Sequence, residues 1–253
     1  MDRVYEVFPY SIAELKRVLS ERSGASSKTI DGKLHTSYFD DYFNVLKAKT
    51  ILIENGYVDR DYLEDFSAYY VRCFSDYKRK CSRLHFFREE FQDKDLEQFL
   101  QKSTSVVNVD MLQQSYLGFV VVKPLPETVI GRTCLEAYPS DNGRRHYPIR
   151  RKYSVNLFGC QLSIKSLAFQ EQDSVAAACA TSALWSEFQG TGRLFQHAIP
   201  SPIEITKAAT SGFPLSTRSL PSKGLNIIQM AQAIRSVGLA RIIQLAEKRT
   251  PSR

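Results

Sequence analysis

Polar starts and stops bracket apolar runs along the chain, and their spacing predicts a mixed set of elements. In "YSIAELKRVLSERSG", Ser11 followed by Glu14 forms a capping-box signature and Gly24 marks the stop of a helix. "KTILIENG" (49–56) reads as a short strand closed by an Asn-Gly turn. "DRDYLEDFSAYYVRCFSDYKRK" (59–80) predicts the strongest helix of the N-terminal part, capped by Asp59. Its residues Tyr62, Phe66, Tyr69, Tyr70, Cys73 and Phe74 share one face. That aromatic stripe reads as core, with Cys73 inert inside it, and the basic end suits the helix dipole. "LHFFRE" adds a strand and "DKDLEQFLQK" (93–102) a short helix.

The middle of the chain is strand-rich. "SYLGFVVVKPLP" (115–126) is a Val-rich run ended by Pro124, and "GRTCLEAYP" (131–139) resumes extended structure. "RKYSVNLFGCQLSIKSLAF" (151–169) alternates apolar and polar residues on either side of Phe158-Gly159, which predicts a hairpin turning there. From about residue 170 the pattern becomes helical. Ser201, Pro202 and Glu204 open one helix. Asn226 and Gln229 open another, with Leu225 and Met230 placed as a staple and Gly238 as the stop. The expected fold class is therefore α+β, with a mixed α/β N-terminal region over 1–105 and a strand-rich segment leading into helices over 106–253. The boundary is placed at "STSV" (103–106).

Charge and cysteine content narrow the setting. The 253 residues carry 34 Lys and Arg against 27 Asp and Glu. Part of the excess sits in "YKRKCSR" (77–83) and "GRRHYPIRRKY" (143–153), stretches that are either solvated surface or phosphate contacts. No apolar run reaches the roughly 18–20 residues needed to span a bilayer. The start "MDRVYEVFPY" lacks the features of a signal peptide. The five cysteines are odd in number and contain no C-x-x-C pair, which argues for a reducing cytoplasm rather than a disulfide framework or zinc knuckle. A cytoplasmic protein of bacterial type, without metal or cofactor, is the expectation.

One cysteine stands apart. "FQEQDSVAAACATSALWSEF" (169–188) places Cys179 among alanines near a helix start, where unpaired backbone N–H groups stabilise a thiolate and can hold an oxyanion. With Asp173 or Ser174 as the cap, Cys179 falls in the second turn. Gln170 and Gln172 precede it as amide donors, while Leu184 and Trp185 anchor the helix. Cys134 and Cys160 lie in strand patterns and read as packing residues.

The stretch "LAFQEQDSVAAACATSALW" (167–185) resembles the opening of papain-like cysteine peptidases, among them the bacteriocin-leader-processing peptidases and their peptidase-like relatives. "PSKGLNIIQMAQAIRSVGLA" (221–240) is similar to their following helix. The resemblance covers residues 166–240 and implies a papain-like fold there, with Cys179 as nucleophile, Gln172 as oxyanion donor and a peptide or protein as substrate. Asp173 stands at the offset where the family usually has its Gln, and the Cys is followed by Ala rather than Gly. The family's catalytic His belongs to a strand beyond the second helix. Only 74 residues follow Cys179, and the one histidine among them, His197 in the loop before the next helix, is the candidate base, with a structural role as the alternative. His35, His85 and His146 precede Cys179.

Three accounts therefore stand: the front part of a papain-like hydrolase, incomplete and inactive by itself; a peptidase-like protein serving recognition or structure; or a nucleic-acid-binding protein using stretches 77–83 and 143–153.

Overall fold

Central strands that are apolar at nearly every position require a sheet covered on both faces. The computed structural model describes residues 3–173, 178–211 and 224–240. Its main sheet is antiparallel throughout, in the order β1 (Tyr5–Pro9), β2 (Thr50–Tyr57), β3 (Cys81–Phe87), β4 (Tyr116–Val122) and β5 (Ile130–Leu135). Ile51, Ile53, Leu84, Phe86, Val120 and Val122 face helices α1 (Ile12–Ser23), α2 (Ser27–Asp31) and α3 (Leu34–Val45). Leu52, Phe87, Phe119 and Val121 face the other way, into a second core. That core is closed by the hairpin β6 (Arg151–Leu157) and β7 (Cys160–Ser166), together with helices α4 (Arg60–Ala68), α5 (Asp93–Leu100), α6 (Val109–Ser115), α7 (Cys179–Phe195), α8 (Pro202–Thr210) and α9 (Ile227–Ser236). The protein is thus α+β in three layers, and each fully buried Leu or Phe contributes about 1.5–3 kcal/mol of transfer free energy. No helix among the described residues is long and apolar enough to cross a membrane.

Local signals explain most boundaries. The Ser11 hydroxyl accepts from Glu14 N, and Gly24 ends α1 at φ 76°. The Glu14 carboxylate turns instead to Arg17, so the box is half made. Ser201–Glu204 and Asn226–Gln229 form complete capping boxes. Phe158 and Gly159 both take positive φ (49° and 91°), as a two-residue hairpin turn demands.

Three expectations need correction. The helix expected over 59–80 stops at Ala68; a single 3-10 turn follows over Tyr70–Arg72. The run Tyr69-Tyr70-Val71 consists of poor helix formers, and turning the chain there buries Tyr70 while leaving Phe74 fully exposed. Lys78–Lys80 therefore lie in the approach to β3, not on a helix dipole. Asn55-Gly56 closes no hairpin: β2 runs through it to Tyr57 with a register shift, Gly56 taking φ 69°. Finally, β3 pairs with β4, so the sheet runs on across the boundary expected at 103–106.

Gly118 fixes how closely β4 and β5 approach. It adopts φ 110°, and an added Cβ would lie 2.1 Å from the Cys134 carbonyl oxygen. Gly118→Ala combines a strained backbone with a backbone clash inside the core. It is expected to lower unfolding free energy by about 3 kcal/mol or more in a denaturant titration. A loss below about 1 kcal/mol would mean the strands can part freely.

Candidate functional site

The segment preceding α7 is fastened to the free edge of β5. Phe169 and Thr133 exchange backbone hydrogen bonds (3.0 and 2.8 Å), and Glu171 N donates to Ile130 O (3.0 Å). The Glu171 carboxylate accepts from the backbone N–H groups of Val129 and Ile130 and pairs with Lys33. Phe169 packs against the α1–α3 core. Strand alternation then turns Gln170 to the opposite side, toward the second core. Its amide nitrogen is buried there without a hydrogen-bond partner among the described residues. Gln172, the expected oxyanion donor, is exposed.

α7 begins at Cys179 itself, with Ala178 as N-cap and no side-chain cap hydrogen bond. The expected cap at Asp173 or Ser174 is thus corrected: Asp173 lies outside the helix, and Ser174 lies outside the described residues. Cys179 occupies the first turn, where helix N–H groups have no intrahelical acceptor. Of the five cysteines, all described, Cys179 is the exposed one. Burial pushes the Cys134 thiol up to about 12 and raises those of Cys81 and Cys160 as well.

Side-chain bonds along α7 hold the helix in place. Trp185 Nε1 donates to Asp61 Oδ2 (3.1 Å), and Arg132 Nη2 donates to the same oxygen (2.7 Å). The guanidinium of Arg132 lies 5.9 Å from the Trp185 ring centre. Burial disfavours its charge, but Asp61 and Asp59 outweigh that and push its pKa upward. Ser186 Oγ donates to Ala168 O (2.8 Å), and the hydroxyls of Thr181 and Thr206 bond across to α8 (3.1 Å). Periodicity alone gives no sign of the Asp61–Arg132–Trp185 junction, because its members come from three distant segments.

Two of the four histidines, His197 and His85, are engaged by other groups. His197 bonds Thr191 Oγ1 through Nε2 (3.0 Å) and stands edge-on to Phe188. Thr191 is twelve residues beyond Cys179, about 18 Å along the helix axis, so His197 is not brought to the thiol. His85 is wholly buried, with Nδ1 2.9 Å from the Tyr116 hydroxyl and Nε2 3.4 Å from Glu54. Burial lowers its pKa to about 4, against the pull of Glu54. His35 packs beside Phe39 on α3, and His146 sits in the exposed stretch before β6. No group of three His, Cys, Asp or Glu among the described residues is placed to hold a metal.

No protein-family model, curated protein or solved structure matches the chain.

Two buried carboxylates beneath α7 respond in opposite ways to substitution. Asp61 accepts from both Arg132 and Trp185, so Asp61→Ala leaves Arg132 with Asp59 alone at 3.8 Å and the buried Trp185 N–H without its acceptor, and is expected to cost about 3 kcal/mol of stability. Asp65 is buried with Oδ1 unpartnered. Burial raises its pKa well above the usual carboxylate range; Lys123 opposes this, while Asp173, Asp61 and Asp59 add to it. A carboxyl whose folded pKa is raised is ionised at a cost above that pKa and at no cost below its unfolded value. Asp65→Asn is therefore expected to raise the melting temperature at neutral pH, with the gain vanishing as pH falls toward about 4. A gain independent of pH would reject this electrostatic account.

Proposed function

We propose that residues 166–240 form the nucleophile-bearing part of a papain-like cysteine peptidase, serving thiol-mediated acyl transfer on a peptide or protein. The observation that carries this reading is the place of Cys179, exposed at the first residue of a 17-residue helix without a side-chain cap. A thiolate there attacks the carbonyl carbon, and the oxyanion is met by first-turn N–H groups and an amide from the preceding segment. Gln172 holds that role by resemblance. Gln170, with its unpartnered amide turned toward the second core, is the alternative donor from the same segment. Anchoring through Trp185, Ser186 and Thr181 keeps the helix start in a fixed position, as preorganised stabilisation requires.

The engagement of His85 and His197 elsewhere favours engagement of a peptide without turnover by this chain. His85 is neutral and buried, and His197 belongs to the far end of α7. Nucleophilic catalysis needs a base within hydrogen-bond reach of the sulfur.

Iodoacetamide labelling followed by peptide mass mapping tests both parts. Cys179 should be modified first among the five cysteines, and about tenfold faster than glutathione at the same pH. Peptide hydrolysis should not exceed that of Cys179→Ala. Labelling of Cys179 at or below the glutathione rate would sink the nucleophile assignment. Turnover abolished by Cys179→Ala would instead show that one of the four histidines reaches the thiol.

A further inference from the structure

The C-terminal half of α7 meets the β6–β7 hairpin across a pocket of about 350 Å3. That volume falls within the range of about 300–1,000 Å3 typical of sites for small organic ligands. Part of its wall is apolar, formed by Pro148, Ile149 and Leu194. Gly190 permits this construction: a Cβ there would lie 3.0 Å from the Ile149 carbonyl oxygen and 3.2 Å from Ile149 Cβ. The segment before β6 therefore closes against the helix this tightly without displacement because position 190 has no side chain.

The rest of the pocket is cationic, with Arg150, Arg151, Lys152, Lys165 and Arg193. Lys152 and Lys165 are direct cross-strand partners in the hairpin and both are exposed. Like charges directly opposed on a strand pair are destabilising. Between Gly143 and Ser166 the chain has six Lys and Arg and no Asp or Glu. The ion pair that this stretch does contain, Arg144–Asp141, uses no residue of the pocket. Two of the arginines are held in position. Arg151 donates to Gln189 Oε1 (2.6 Å) and lies 4.2 Å over the Tyr153 ring; Arg150 lies 4.8 Å over the Tyr147 ring. The Arg151 Nε is buried and has no partner among the described residues. Guanidinium groups fixed in advance lose little entropy on meeting an anion.

We propose that this pocket binds a phosphate ester of nucleotide chemistry. The phosphate oxygens lie among Lys152, Lys165 and Arg193, beside the fixed guanidiniums of Arg150 and Arg151, where they relieve the cross-strand repulsion, and the sugar and base lie against Pro148, Ile149 and Leu194. A lone phosphate would leave that apolar wall uncovered. The ligand is either a free nucleotide or a nucleotide unit of a single strand, sources that share this chemistry.

The test uses the full chain, with ATP in calorimetry and labelled oligothymidylate in fluorescence anisotropy, each at about 50 mM and about 200 mM salt. An oligoglutamate of matched charge serves as the anionic control. Binding of ATP identifies a free nucleotide, and binding of oligothymidylate alone identifies a strand. In either case Lys152→Glu, Lys165→Glu and Arg193→Glu should each weaken affinity by about tenfold or more, and weaken its salt dependence. Arg79→Glu, in the other basic stretch, should leave affinity within about twofold. Should a reversed-charge variant fail to fold, Arg193→Gln on the exposed helix face gives the same readout. Absence of binding by both phosphate probes, binding unaffected by the pocket variants, or equal binding of oligoglutamate would each overturn the proposal.

Discussion

One carboxylate oxygen joins three elements, α4, β5 and α7, and fixes the place of the last. Asp61 Oδ2 accepts from Arg132 on β5 and from Trp185 on α7, and Asp61 itself belongs to the first turn of α4. The junction is buried, so neither charge can be left alone without a desolvation cost of several kcal/mol. A pair of charges in such a place is weak as a net source of stability but strong as a constraint on geometry. Hydrophobic contact between a helix and a sheet tolerates sliding, whereas an indole N–H and a guanidinium sharing one oxygen do not. The position of α7 over the sheet, and with it the place of Cys179, depends on this constraint.

The same physics governs the face of the sheet beneath it. Burying both faces while keeping Glu54, Arg83, His85 and Tyr116 on one of them requires these groups to satisfy each other. Arg83 donates to Glu54 and to Asn156 O of the hairpin, and its guanidinium lies 4.2 Å from the Tyr57 ring centre. His85 spans Tyr116 and Glu54. A histidine between a hydroxyl and a carboxylate has the composition of a catalytic relay, yet complete burial makes it a strut. Arg83 ties that network to the β6–β7 hairpin through Asn156, so the hairpin carrying Lys152 and Lys165 is fastened to the sheet by a charge-assisted bond.

Much of this fold was legible in the sequence, wherever a local device decides the outcome. Ser11, Ser201 and Asn226 cap helices because a short polar side chain satisfies an N–H that has no other acceptor nearby. Phe158-Gly159 turns the hairpin because its strands end there. Spacing carries the helix expected over 59–80 past its end at Ala68 because it cannot weigh a buried Tyr70 against one more helical turn; that balance is set by residues distant in the chain. The start of α7 at Cys179 lies later than the pattern implies for a related reason: "DSVAAACA" is helix-permissive, so composition marks no single first residue. At the site, Cys179 was visible as a type of residue in a type of context. The engagement of His197 with Thr191 depends on the chain doubling back along α7 and lay beyond pattern reading. The basic stretch 143–153 was visible as charge but not as a pocket, because its shape needs Gly190 and its strongest repulsion needs the register that pairs Lys152 with Lys165.

The two ends of α7 thus support distinct chemistries on one rigid element. Cys179 and Gly190 are eleven residues apart, about 16 Å along the helix axis, too far for one small ligand to touch both the thiol and the cationic rim. An exposed thiol at a helix N-terminus suits attack on a carbonyl carbon, and a pocket lined in part by five cationic side chains suits a phosphate that need not react. A helix dipole places partial positive charge at its N-terminus and partial negative charge at its C-terminus, so Arg193 near the C-terminal end is favoured by the helix itself. The lysines of the hairpin have no such compensation. Lys152 and Lys165 oppose each other across a strand pair where a neutral or acidic partner would stabilise the hairpin, so intrinsic stability does not account for their pairing. A bound anion accounts for it, and the glycine that lets the pocket close gives that anion a shaped place to sit.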